Sequence, residues 1–352
     1  MSAPLGLGLT VCGLAGATLM LGRYVQVGPA RFRLIVAVSA ALLGFIIVTG
    51  AAVRLSGSGL GCPNWPTCAD GSVLPASSHK AQIEFGNRVV TGICIVAAAV
   101  GVLAALVRRP YRADLVRLGV IVTALLFGNA LVGGAVVLFH LKTGIVIAHF
   151  LLAIASLTTG LVLFHRAGED GRGGDLWGRD RVTTVAPMVR LAGRVAPVLV
   201  FVGVVLGTVT TGSGPHSGDP AKTERLPFGI EAAARVHSIV MWLALASVVA
   251  LAVTSRTGGS GAAVRLRHTS VVPAPSQGGN LTTWSEAHTR VRKRVTWLMA
   301  ALVVQGGVGY LQYARKLPSG LVEVHVLGAT IVWTLLIWVR AALSQPPAEA
   351  AV

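Results

Sequence analysis

The chain has 352 residues, of which 53% are hydrophobic and 12% charged, and its mean hydropathy is +0.72. A soluble domain carries about twice that charged fraction, so a water-collapsed globule is excluded. The net charge of +17 would suit nucleic acid, but 20 of the 30 Lys and Arg residues fall in the segments 31–33, 108–117, 166–194, 256–267 and 290–294, with Arg340. These alternate with loops poor in Lys and Arg, the pattern of the positive-inside rule. Basic loops of this kind anchor on anionic lipid, and no nucleic-acid partner is expected.

Residues 3–22 form an uncharged, Gly-rich apolar stretch with no Lys or Arg before it. That makes a poor signal peptide and reads as a loose extension or an extra helix. Eight apolar runs follow, long enough to cross a bilayer: about 32–53, 82–107, 117–138, 143–165, 188–211, 230–254, 294–314 and 319–342. The expected fold is an all-α polytopic membrane protein with two tandem four-helix bundles from an internal duplication. It divides into an apolar extension (1–30), an N-terminal bundle (31–165), a cytoplasmic linker (166–187), a C-terminal bundle (188–342) and a tail (343–352). Residues 255–290 read as a flexible loop, and 139–142 and 315–318 as tight antiparallel connections.

One unit is stated twice. IIVTGAAVRLSGSG, IEFGNRVVTG, GNALVGGAVV and KTGIVIAHFLLA in the first half answer to VGVVLGTVTTGSGP, EAAARVHSIVMW, VQGGVGYLQYA and PSGLVEVHVLGA in the second. His149 and His325 take the same slot in the fourth helix of each copy, and His237 takes the second-helix slot that holds Asn87 in the first. With the basic segments inside, these helices start outside, and the four positions share a depth of roughly 8–10 Å. A single intramembrane His often serves only to bond a carbonyl, but matched slots in a duplicated frame favour a function. Two neutral imidazoles, His237 and His325, suit a low-spin haem iron. Zinc is the weaker alternative, because it usually takes at least three protein ligands. Gly328, one turn after His325, reads as room for a planar ring.

Glu84, Asn87, Arg88 and Thr91 share one helix face. Glu84 and Arg88 make either a structural ion pair or a carboxylate beside a bound substrate. Arg54, Arg88, Lys142, Lys222, Arg225, Arg235, Arg315 and Lys316 gather toward the same face. Most read as interfacial snorkelling. Arg88 and Arg235, inside helices, are the better candidates for propionate contact. The loop SGSGLGCPNWPTCADG carries turn residues and an interfacial Trp65. Cys62 and Cys68 in an outer loop read as a disulfide, either a staple or an exchange-active bond.

VRLSGSGLGCPNWPTC, IEFGNRVVTG, TGSGPHSGD, ARVHSIV and VEVHVLGAT, in order within eight helices, resemble the haem A synthase family over residues 32–342. The resemblance implies an oxidoreductase that oxidises a methyl group of haem O to a formyl group, by two hydroxylations and loss of water, giving haem A for a terminal oxidase. It implies a resident haem b between His237 and His325. It also implies a substrate haem in the N-terminal bundle facing His149, Glu84 in catalysis, and a redox or partner role for Cys62 and Cys68. The partners implied are haem O, membrane lipid, haem O synthase and terminal oxidase assembly, and a homo-oligomer stays open. The location implied is the bacterial inner membrane, with the cysteine loop outside. Asn87 departs from the pattern, since many members have a second histidine there and an amide is a poor iron ligand. Loop 212–229 lacks the cysteine pair of some members, and its His216 reads as a loop residue. A non-catalytic membrane cytochrome b or haem carrier is the alternative, needing His237 and His325 but not Glu84. A secondary transporter fits the duplication but not the histidines.

Overall fold

The computed structural model describes residues 25–69, 71–169, 182–183, 185, 187–216, 225–265 and 281–345. The stretch 3–22, most of the 166–187 linker and most of the 343–352 tail lie outside the described residues. Eight helices are long and apolar enough to cross a membrane, so this is a multi-pass membrane protein. They are α1 (Pro29–Leu55), α2 (His79–Val107), α3 (Ala113–Leu138), α4 (Thr143–Ala167), α5 (Pro187–Ser213), α6 (Ile230–Arg265), α7 (Leu281–Ala314) and α8 (Ser319–Arg340).

Local chemistry sets the starts. Pro29 opens α1 directly after Gly28, where a missing N–H costs nothing. Ser78 caps α2 by accepting the Ala81 N–H at 3.2 Å, which moves the start ahead of the expected 82. α6 and α7 run into the 255–290 segment read as a flexible loop, although their apolar spans stop at Arg256 and begin at Thr289. Extending an existing helix adds a hydrogen bond without a new nucleus. Besides helices, β1 (Val182–Thr183) pairs antiparallel with β2 (Ser344–Gln345), tying the linker to the C-terminal segment.

Each copy closes a ring. α1 packs on α2 and α4, with α3 between α2 and α4; α5 packs on α6 and α8, with α7 between α6 and α8. The rings meet through α1 on α8, α4 on α5 and α4 on α8. Exchanging the copies swaps the first two contacts and preserves the third, a two-fold relation. Leu43, Leu157, Val200 and Leu336 are fully buried near this seam, and Trp333 Nε1 donates across it to Thr158 Oγ1 at 2.8 Å. Leu34, Phe45, Val96, Leu131, Trp242, Val304 and Ile331 are exposed, as lipid-facing side chains are. At the end away from the cysteine loop, Arg112 pairs with Asp114 at 2.8 Å and donates to the Arg166 carbonyl at 2.9 Å, locking α3 to α4.

The two tight hairpins share one geometry. His140 and Leu141 have φ of 52° and 60°, and Lys316 and Leu317 have φ of 58° and 60°. A left-handed L-residue costs roughly 1–2 kcal/mol, so both turns are held by the helices they join. They fix how α3 lies on α4 and α7 on α8, which decides where the histidines land.

Candidate functional site

His149 and His325 sit six residues after the first residue of α4 and α8, His237 seven after that of α6, and Asn87 eight after that of α2. At about 1.5 Å per residue they lie roughly 9–12 Å along helices that start at one face. All four line a single cavity of about 550 Å³ that touches all eight helices.

Each histidine ring rests on a glycine of a neighbouring helix. A Cβ at Gly133 would meet His149 Cε1 at 3.0 Å, one at Gly309 would meet His325 Cε1 at 3.1 Å, and one at Gly207 would meet His237 Cε1 at 3.3 Å. The Gly133–His149 and Gly309–His325 contacts hold the same register in the two copies. His237 Nδ1 also bonds the Gly203 carbonyl at 2.9 Å. That carbonyl can only accept, so Nδ1 carries the proton and Nε2 keeps its lone pair for a metal. The Nδ1 atom of His325 is buried without a hydrogen-bond partner. Asn87 occupies the fourth slot, where its Oδ1 accepts from Thr49 Oγ1 at 2.8 Å. Among the described residues no three His, Cys, Asp or Glu side chains gather to hold a metal ion.

The cysteine loop covers the mouth of the first ring. Cys62 and Cys68 form a disulfide, both are buried, and they pack with Ala81 and Phe85. Glu84 is buried with both oxygens engaged: Oε1 pairs with Arg88 at 2.6 Å and Oε2 accepts the Cys62 N–H at 2.8 Å. Arg88 also donates to the carbonyls of Thr67, Cys62 and Asn64 at 3.0, 3.1 and 3.0 Å. The pair therefore clamps the loop onto α2 while both residues line the cavity. Trp65 hangs from this loop, and a Cβ at Gly134 would meet its ring at 2.6 Å. Adjacent glycines on α3 thus seat two rings, His149 and Trp65.

Two expectations are corrected. Arg235 is exposed and does not line the cavity, because two residues along a helix is more than half a turn from the inward-facing His237. The space beside Gly328 is filled by Gln305, whose Nε2 donates to the His325 carbonyl at 2.8 Å, and not by an open face for a planar ring. Lys142, Arg225, Arg315 and Lys316 are exposed, as snorkelling side chains are, and Lys222 lies outside the described residues. The glycine seats and Gln305 have no place in the sequence reading, and Arg54 stands there among the snorkelling cations. The Gly pair in GNALVGG was the available signal for the first; Arg54 reads from sequence like any cation at a helix end.

The COX15-CtaA family, described as cytochrome oxidase assembly protein, matches residues 33–216, from α1 to just past α5. Heme A synthase of Geobacillus thermodenitrificans is 35% identical over 106 residues, covering 30% of this chain and 32% of that protein. Heme A synthase of Bacillus licheniformis is 33% identical over 124 residues, covering 34% and 39%. Heme A synthase of Lysinibacillus sphaericus is 32% identical over 128 residues, covering 35% and 41%. The chain thus spans about a third to two fifths of the length of these curated relatives.

Proposed function

The chain belongs to the COX15-CtaA family of cytochrome oxidase assembly proteins, and from that premise we propose that it is a haem A synthase. In this reading it is an oxidoreductase of the cell membrane that converts a methyl group of haem O to a formyl group. One observation carries the reading: three imidazoles at one depth, each seated on a glycine, in a single cavity shared by both rings. The names of the relatives support the reaction.

The residues fit a haem. His237 and His325 belong to one ring and line one cavity, and His237 is set in the tautomer that frees Nε2. They are the proposed axial ligands of a resident haem b. Such a group would supply one-electron transfer when bound. The N-terminal ring is the proposed place for haem O, with His149 toward its iron. Asn87, tied to Thr49, orients and does not ligate. Glu84 and Arg88 put a charged pair at the cavity wall, where Glu84 is the proposed catalytic carboxylate, balancing charge or holding a proton near the reacting carbon. The apolar walls exclude water from that carbon. The basic segments at the opposite face support a cysteine loop on the outer side. An enzyme that farnesylates haem must supply the substrate, and terminal oxidase assembly would take the product.

The test is co-expression with a source of haem O, followed by chromatography of extracted haems. Wild type accumulates haem A. Glu84→Ala makes none and keeps the haem b spectrum. A cytochrome without catalysis makes no haem A in either case, and that result removes the enzymatic reading.

A further inference from the structure

Arg54 stands one residue before the end of α1, at the cysteine-loop face. Its Nε donates to the His216 carbonyl at 2.7 Å, and His216 Nε2 meets the Leu317 carbonyl at 2.7 Å. The guanidinium is thereby fixed where α1 meets the segment after α5 and the α7–α8 turn. Arg54 lines the cavity, and its Nη2 is buried without a hydrogen-bond partner. The ion pairs among the described residues join Glu84 to Arg88 and Asp114 to Arg112 and Arg166. None reaches Arg54. A buried guanidinium left open is costly until an anion completes it, and its planar fork matches a carboxylate.

The repeat shows which unit carries this charge. With Gly50 aligned on Gly207, Arg54 falls on Thr211. The Thr211 hydroxyl folds back onto the Gly207 carbonyl at 2.8 Å and brings no charge. The cation is therefore particular to the unit that holds His149.

We propose that Arg54 receives a carboxylate of the ligand in the N-terminal ring, an otherwise apolar tetrapyrrole acid whose metal faces His149. The proposal rests on the haem reading of this cavity and adds the residue that sets the ligand's rotation. Arg54 lies nearer the cysteine-loop face than His149, so it holds the acidic edge toward that face. It is a positioning residue. It also makes the site selective for the free acid over a neutral ester of the same ring.

The experiment uses the full chain in nanodiscs with its resident haem bound. The protein is titrated with iron(III) protoporphyrin IX and, separately, with its dimethyl ester, reading Soret difference spectra and tryptophan quenching. Wild type is expected to favour the diacid by roughly tenfold to a hundredfold, the worth of a charge-assisted hydrogen bond. Arg54→Gln should lose that preference while binding the ester as wild type does. Arg54→Lys should keep part of it and guards against a folding defect in the first variant. Arg235→Gln, altering an exposed cation, should change neither affinity. Equal affinity of wild type for diacid and ester overturns the proposal, as does an undiminished preference in Arg54→Gln. So does loss of the resident haem spectrum in Arg54→Gln with the titration unchanged, which would assign the cation to the C-terminal ring. A chain that makes no haem A yet shows the Arg54-dependent preference keeps this receptor and loses the enzymatic reading. Haem A production without the preference does the reverse.

Discussion

The two rings carry the same helices and share one histidine seat, Gly133–His149 and Gly309–His325, but among the described residues they are covered in different ways. In the C-terminal ring, Tyr310 joins α7 to α6, its hydroxyl bonded to Ser238 Oγ at 2.7 Å and to Trp242 Nε1 at 2.9 Å. The matching position of the N-terminal ring is Gly134, and there the space is taken by Trp65 from the cysteine loop. Among the described residues, one ring is fastened by its own helices. The other is capped by a separate piece of chain held by a disulfide and the Glu84–Arg88 pair. A fastened ring suits a group that stays, and a capped ring suits one that enters and leaves.

The sharpest way to break that division is His149→Ala. It should abolish haem A formation and leave the haem b spectrum at wild-type intensity, measured on the same membranes. Loss of haem b there would mean that the rings do not act separately. Next come the glycine seats. An added Cβ at Gly133 or Gly309 comes within 3.0–3.1 Å of the imidazole, so the ring must give by a few tenths of an ångström, and overpacking costs up to about 1–3 kcal/mol. Gly309→Ala should lower haem b retention in purified protein, whereas Gly133→Ala should spare it and reduce haem A formation about tenfold or more. Equal effects of the two substitutions on haem b would erase the distinction. A smaller effect is expected from Cys62→Ser with Cys68→Ser. Breaking a short covalent ring costs about 2–3 kcal/mol, confined here to the loop. Limited proteolysis should cut residues 56–78 faster while haem b stays unchanged. The smallest is Tyr310→Phe, which removes the α6–α7 link and should quicken haem b loss only on long incubation in detergent.

Periodicity and hydropathy were enough for the eight helices, the duplication and the common depth of Asn87, His149, His237 and His325, because each is a property of one helix in a membrane. What lies between helices was harder to read. Arg235 was placed beside His237 by proximity in sequence, but helical rotation sends it to the outside. Gly328 looked like room for a ligand and is room for Gln305. Gly133, Gly207 and Gly309 were visible as letters, yet their role depends on which ring arrives from the next helix. Arg54 differs from a snorkelling cation because the His216 carbonyl, just after α5, accepts from it, a long-range contact with no local signature.

The most direct test of the account is the haem content of purified protein, comparing wild type with His237→Ala and His325→Ala by pyridine haemochrome and low-spin absorption spectra. The account predicts that each substitution removes bound haem b. A normal low-spin spectrum at full occupancy in either variant would contradict it.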